Sequence, residues 1–160
     1  RTKRIPNETE RGVILMAYRK PFSKNLYGKY DGVAKDTLIN HLLKDGHVLI
    51  DSTESYDADV VTEKLGEKHY SEAEVKTAWK GDWPTNWAEI RIPERKKKLL
   101  SKHGNNLKFY IFSGDMTKAW CIDSKLLTDD KLREATGRNI YIGEQFYHVP
   151  YKEAELINVA

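Results

Sequence analysis

Apolar positions fall in short runs divided by turn-forming residues, which predicts alternating strands and short helices. Leu38, Ile39, Leu42 and Leu43 recur at helical spacing within Lys35 to Lys44, and Gly46 stands where such a helix would end. His47 to Asp51 reads as a short strand. Two strand-like runs follow, one holding Asp57, Asp59, Val60 and Val61, the other ending in Glu74-Val75-Lys76, with a turn-like stretch containing Gly66 between them. Gly81-Asp82-Trp83-Pro84 breaks the pattern. Pro93 to His103 predicts a helix, with Pro93 in its first turn and Gly104 as its stop. Leu107 to Ser113 and Ala119 to Ile122 then read as a hairpin around Gly114-Asp115.

The flanks are less regular. Arg1 to Glu10 is polar and reads as a loose arm. Arg11 to Lys20 is a continuous apolar run that fits either a short helix capped by Asn7 or Thr9, or a strand. Pro21 to Gly32 reads as turn-rich, Leu126 to Thr136 as a helix, and Ile140 to Val149 as a last strand. The sum is an α/β chain with a mixed sheet flanked by helices. Its 160 residues fit one domain spanning 1–160.

The hairpin runs carry the candidate chemistry. Strand side chains alternate faces, so Glu74 and Lys76 share one. Pairing of the two runs would bring Asp59 next to Glu74. Two carboxylates and a lysine at one spot suit a hard divalent cation, which can polarise a phosphate and activate water. The lysine would orient or deprotonate that water, or steady developing charge. Acid-x-Lys triplets occur four times, so context decides between them. Glu94-Arg95-Lys96 opens a predicted helix, and Asp129-Asp130-Lys131 lies in another. Asp123-Ser124-Lys125, with Asp115 nearby, is the rival site, but Asp115 falls in a turn. Only Glu74 has an acid about one hairpin upstream. The competing reading is a surface hairpin of solvated charges.

This arrangement of Asp59, Glu74 and Lys76, with Thr77 following, resembles the PD-(D/E)XK nuclease superfamily over roughly residues 35 to 125. The resemblance implies a restriction-endonuclease-like core and a Mg²⁺-dependent deoxyribonuclease, Mn²⁺ being a second candidate ion. It implies metal ligation by Asp59 and Glu74 with the Val75 carbonyl, and a catalytic Lys76. Asp57 is the alternative aspartate, and Asp36 stands as a further acid on the preceding helix. DNA is the implied partner, with endonucleolytic cutting favoured and a homodimer that cuts two strands open. A non-catalytic nucleic-acid-binding module on the same fold is the alternative function. A third reading is an interaction protein whose acids are solvated surface.

Composition adjusts this picture in a few places. Charged residues make up 32% of the chain, yet the formal net charge is only +3, so local clustering matters more than the total. Arg91, Arg95, Lys96, Lys97 and Lys98 form such a cluster around Pro93, suited to a phosphate backbone, with a solvated helix face as the rival reading. Trp79, Trp83 and Trp87 recur every four residues, but Gly81 and Pro84 oppose a helical stripe; at least one is expected in the core. The others could pack on a sugar or an unpaired base. Cys121 is the only cysteine, so no disulfide forms within the chain and a cytoplasmic setting is expected. No run of about 18 apolar residues predicts a membrane span, and no secretory leader is expected. The histidines show no zinc-ligand pairing with cysteine, and phosphate-loop, dinucleotide and nucleophile-elbow motifs are absent from the sequence.

Overall fold

The computed structural model describes residues 24–51, 58–137 and 140–160, the first eight of them by backbone alone. The amphipathic stretch forms helix α1 (Lys24–Lys44). Ala34, Leu38 and Leu42, one turn apart, are its buried stripe. The helix begins well before Lys35 and runs through Gly28 and Gly32, which corrects the turn-rich reading of that stretch. Each interior glycine costs about 1 kcal/mol relative to alanine, and packing of the apolar stripe offsets that.

Three antiparallel strands follow: β1 (Val48–Asp51), β2 (Val60–Lys64) and β3 (Glu67–Lys76). Leu65 and Gly66 join the last two, both at positive φ (53° and 80°). That is the two-residue hairpin geometry whose twist matches its strands. It sets Val60 opposite Ser71 and Lys64 opposite Glu67. The chain then crosses over through β4 (Glu89–Pro93), a single 3₁₀ turn at Glu94–Lys96 and helix α2 (Lys97–His103). Strand β5 (Leu107–Ser113) returns parallel to β3, with Glu74 beside Ile111. A parallel neighbour requires such a long crossover.

Strand β6 (Lys118–Asp123) pairs with β5. The remaining strands are β7 (Leu132–Glu134), β8 (Gln145–Pro150) and β9 (Glu155–Asn158). The result is a mixed six-stranded sheet in the order β1-β2-β3-β5-β6-β9 and a small antiparallel sheet β4-β8-β7.

Both faces of the large sheet are apolar, and each is covered differently. Val60, Tyr110, Phe112 and Ala119 pack against Leu38 and Leu42 of α1. Phe109, Ile111, Trp120 and Ile122 pack on the other side against Ile90, Ile92, Tyr147 and Val149 of the small sheet. Burying one such side chain contributes about 1.5–3 kcal/mol. The mixed α/β architecture expected from the sequence is present, with a second sheet covering much of one face. Among the described residues, no helix is long and apolar enough to cross a membrane.

Several element assignments change. Leu126 to Thr136 is not a helix: it holds parts of two 3₁₀ turns and the edge strand β7. Lys131 turns back to donate to the Leu126 carbonyl (2.8 Å) and pairs with Glu153 (2.9 Å), while β8 recruits Leu132–Glu134. Pro93 closes β4 instead of opening a helix, because Ile90 and Ile92 alternate into the core. The last strand expected over 140–149 is confined to β8, and β9 follows it. The expectations for 1–10 and 11–20 lie outside the described residues.

Gly114 makes the tightest backbone approach near the end of β3. Its N–H donates to the Trp79 carbonyl at 2.7 Å, and an added Cβ would lie 2.7 Å from the Thr77 carbonyl oxygen. The obstacle is backbone, so the turn after Lys76 would have to move. Gly114→Ala is expected to lower stability by about 2 kcal/mol in chemical denaturation. An unchanged unfolding midpoint would show that the turn yields freely.

Candidate active site

Strand β3 sorts its residues by face. Ala73 and Val75 pack into the core under α1. Alternation puts Glu72, Glu74 and Lys76 on the other side, facing the layer that holds the small sheet. Where the two sheets part, a cavity of about 710 Å³ opens. Its lining includes Glu74, Lys76, Trp83, Asn86, Trp87 and Arg91. Val75 borders it too. Glu74 and Lys76 are therefore brought together at one wall.

The Glu74 side chain keeps exposed surface, yet protein encloses it on most sides. That burial pushes its carboxyl above the usual carboxylate range, with Lys96, Arg95 and Lys76 pulling the other way and Glu72 reinforcing the rise. Glu89 also lines the cavity, but Arg133 pairs with it. Glu74 is thus the acid left facing Lys76.

Asp59 sits just before β2. Its backbone N–H donates to Glu72 Oε2 (2.9 Å), and its Oδ2 accepts from the Ala73 N–H (2.9 Å). Glu72 Oε1 accepts from Lys96 Nζ at 2.8 Å. Burial first, then the Glu72 charge, pushes the Asp59 carboxyl up to about 6, against the Ala73 hydrogen bond and the Lys96 and Lys35 charges. The hairpin register thus sets Asp59 beside Glu72, with Glu74 two residues further along the same strand. Asp57 lies outside the described residues. Asp36 is exposed on α1, about 200° around the helix from Leu38.

Glu72 was missed by sequence reasoning, although the alternation that paired Glu74 with Lys76 also includes it. The rival acids have structural roles. Asp115 accepts from Ser113 Oγ, Thr117 N and Thr117 Oγ1, bonds that hold its carboxyl well below the usual range. Asp123 accepts from the Lys125 N–H and caps a 3₁₀ turn.

The basic cluster divides by partner. Lys96 points inward to Glu72, Arg95 lies 3.6 Å from Glu144, and Lys97 lies 3.4 Å from Asp129. Arg91 and Lys98 are exposed, and neither is in an ion pair among the described residues. Arg91 borders the cavity itself. The tryptophans form a connected aromatic wall. Trp79 is fully buried, Trp83 meets it edge-on at 5.1 Å, and Trp87 meets Trp83 at 5.2 Å. Lys76 Nζ lies over the Trp87 ring, 5.1 Å from its centroid.

A scan against protein-family models gave no match, and a search of the curated proteins gave none. The functional reading therefore rests on the site. An ammonium, an exposed guanidinium and a cavity open to solvent suit an anionic substrate. Beside them Glu74, a carboxyl held above its usual range, suits a cation.

Proposed function

We propose that this chain is a metal-dependent nuclease, a Mg²⁺-dependent endonuclease that hydrolyses DNA phosphodiester bonds on a restriction-endonuclease-like core. The observation that carries the reading is the Glu74–Lys76 pair on one cavity wall, on the same strand as the Asp59–Glu72 contact. The helix, the β1–β2–β3 meander, the crossover with its helix and the parallel β5 are consistent with that core.

The donor set fits a hard ion. Asp59 and Glu74 offer oxygen ligands, and both carboxyls are raised by burial, a strain that a divalent cation would relieve. Among the described residues, no three His, Cys, Asp or Glu side chains form a ready cage. A pair of carboxylates suits Mg²⁺, which binds one or two of them and completes its shell with water and phosphate oxygens. Asp59 and Glu74, with the Val75 carbonyl, would hold it. When bound, the ion supplies positive charge to the phosphate and a more acidic water.

The chain's own groups do the rest. Lys76 presents its donors to the attacking water or to the phosphate oxygens, where negative charge develops. Arg91 at the cavity edge holds the neighbouring phosphate.

The test is incubation with supercoiled plasmid in Mg²⁺, Mn²⁺ or EDTA, beside Glu74→Ala. Metal-dependent nicking or linearisation that the variant loses is the expected result. Failure to cut plasmid, branched DNA or single strands in either metal would overturn the reading and favour a non-catalytic binding module. Arg91→Ala with Lys98→Ala should weaken DNA binding uniformly across sequences. The pair should also reduce the slope of log affinity against log salt by about 2, measured in EDTA. An unchanged slope would place the DNA elsewhere on the surface.

A further inference from the structure

We propose that Trp87 is the positioning residue for Lys76, holding its ammonium over the indole face at the cavity wall. The inference rests on the nuclease reading and adds to it a residue outside the acid-and-lysine set. Lys76 is the last residue of β3, exposed, on a flexible four-carbon stem. Among the described residues no carboxylate forms an ion pair with it. The ring of Trp87, 5.1 Å from Nζ, is the group that restrains it.

Trp87 is itself fixed from the core outward. Its N–H donates to the Pro84 carbonyl (3.0 Å), and its own carbonyl accepts from Trp83 Nε1 (2.8 Å). Trp83 stands edge-on to it at 84° and edge-on to the buried Trp79 at 90°. Trp79 Nε1 donates to the Gly81 carbonyl at 3.0 Å. The loop between β3 and β4 is therefore anchored on indoles that end at the lysine. A ring face attracts an ammonium and offers nothing comparable to a neutral amine. Trp87 thus holds the Lys76 ammonium in one place at the cavity wall. Fixing that charge in advance is what makes it effective in the transition state.

The test has a spectroscopic arm and a kinetic arm. In the wild-type protein the Lys76 ε-methylene proton resonances should be displaced upfield by the indole ring current, and Trp87→Leu should abolish the displacement. On cleaved DNA, Trp87→Leu should lower kcat about tenfold with KM unchanged, and Trp87→Phe should recover most of the loss. Undisplaced Lys76 resonances, or a kcat in Trp87→Leu within about twofold of wild type, would overturn the proposal. Loss in KM alone would also overturn it, since that reports substrate binding by the ring. If Trp87→Leu does not fold, Trp87→Phe carries both arms, with a smaller displacement and a partial fall in kcat. Displaced resonances in a wild-type protein that cuts no DNA would fell the nuclease reading and leave the contact standing.

Discussion

Replacing Glu74 with glutamine is expected to lower DNA cleavage about a thousandfold, equivalent to ~4 kcal/mol of transition-state stabilisation, while the fold survives. The substitution keeps shape and removes charge. Burial already disfavours the ionised form of Glu74, so the neutral amide should cost the fold nothing. Lys76→Met should cause a loss of similar size, because among the described residues Lys76 is the cation that β3 presents beside Glu74 at the cavity wall. Lys96 is committed to Glu72, and Arg95 lies near Glu144. Cleavage by the wild-type protein should also depend on pH. Asp59 and Glu74 must be ionised to bind metal, and both are raised, Asp59 to about 6. Activity should therefore fall as pH drops through about 6, rather than near 4 as for ordinary carboxylates. Gel assays of initial rate against pH, with circular dichroism as the control for folding, would measure all three effects. Full activity in both Glu74→Gln and Lys76→Met would remove the basis of the assignment.

That Glu74 and Lys76 share one strand face was legible in the sequence because strand alternation is local and strict. The facing register was less so. It depends on the Leu65-Gly66 turn, and an exposed leucine at positive φ is a weak signal for a two-residue hairpin. Read as such a turn, the pair would have set Asp59 opposite Glu72 at once. The small sheet escaped notice for another reason. Its strands pair residues distant in sequence, Ile90 with Val149 and Leu132 with Tyr147, and β7 is only three residues long. Local pattern carries little information about such pairings. That sheet nevertheless forms the second wall of the cavity. The basic run shows a related limit: its composition was plain, but only the packing shows Lys96 turned inward and Arg91 and Lys98 left exposed.

Asp59→Asn should raise thermal stability at pH 7.5 while impairing cleavage. Burial penalises the charge of Asp59 and Glu72 crowds it, which pushes its folded-state carboxyl up to about 6 from a usual value of 3.8. Between those values the folded protein holds more protons than the unfolded chain. Stability contributed by this group is fully present below about 3.8 and is lost as pH rises through about 6. Asparagine removes the charge, and its side-chain oxygen can still accept from the Ala73 N–H. After allowance for solvent screening, the expected gain is about 1–2 kcal/mol, or roughly 3–6 °C in Tm. The gain should shrink towards zero as pH is lowered to about 4. Mg²⁺ should raise the Tm of the wild-type protein and do so less for Asp59→Asn, because binding to the folded state stabilises it by linkage. A carboxylate kept where it destabilises the fold is expected of a ligand and not of a surface charge. A lower Tm in Asp59→Asn at every pH would make Asp59 a structural residue. Asp57→Asn, scanned in parallel, completes the comparison: loss of cleavage and of the Mg²⁺ response in that variant alone would move the metal ligand from Asp59 to Asp57.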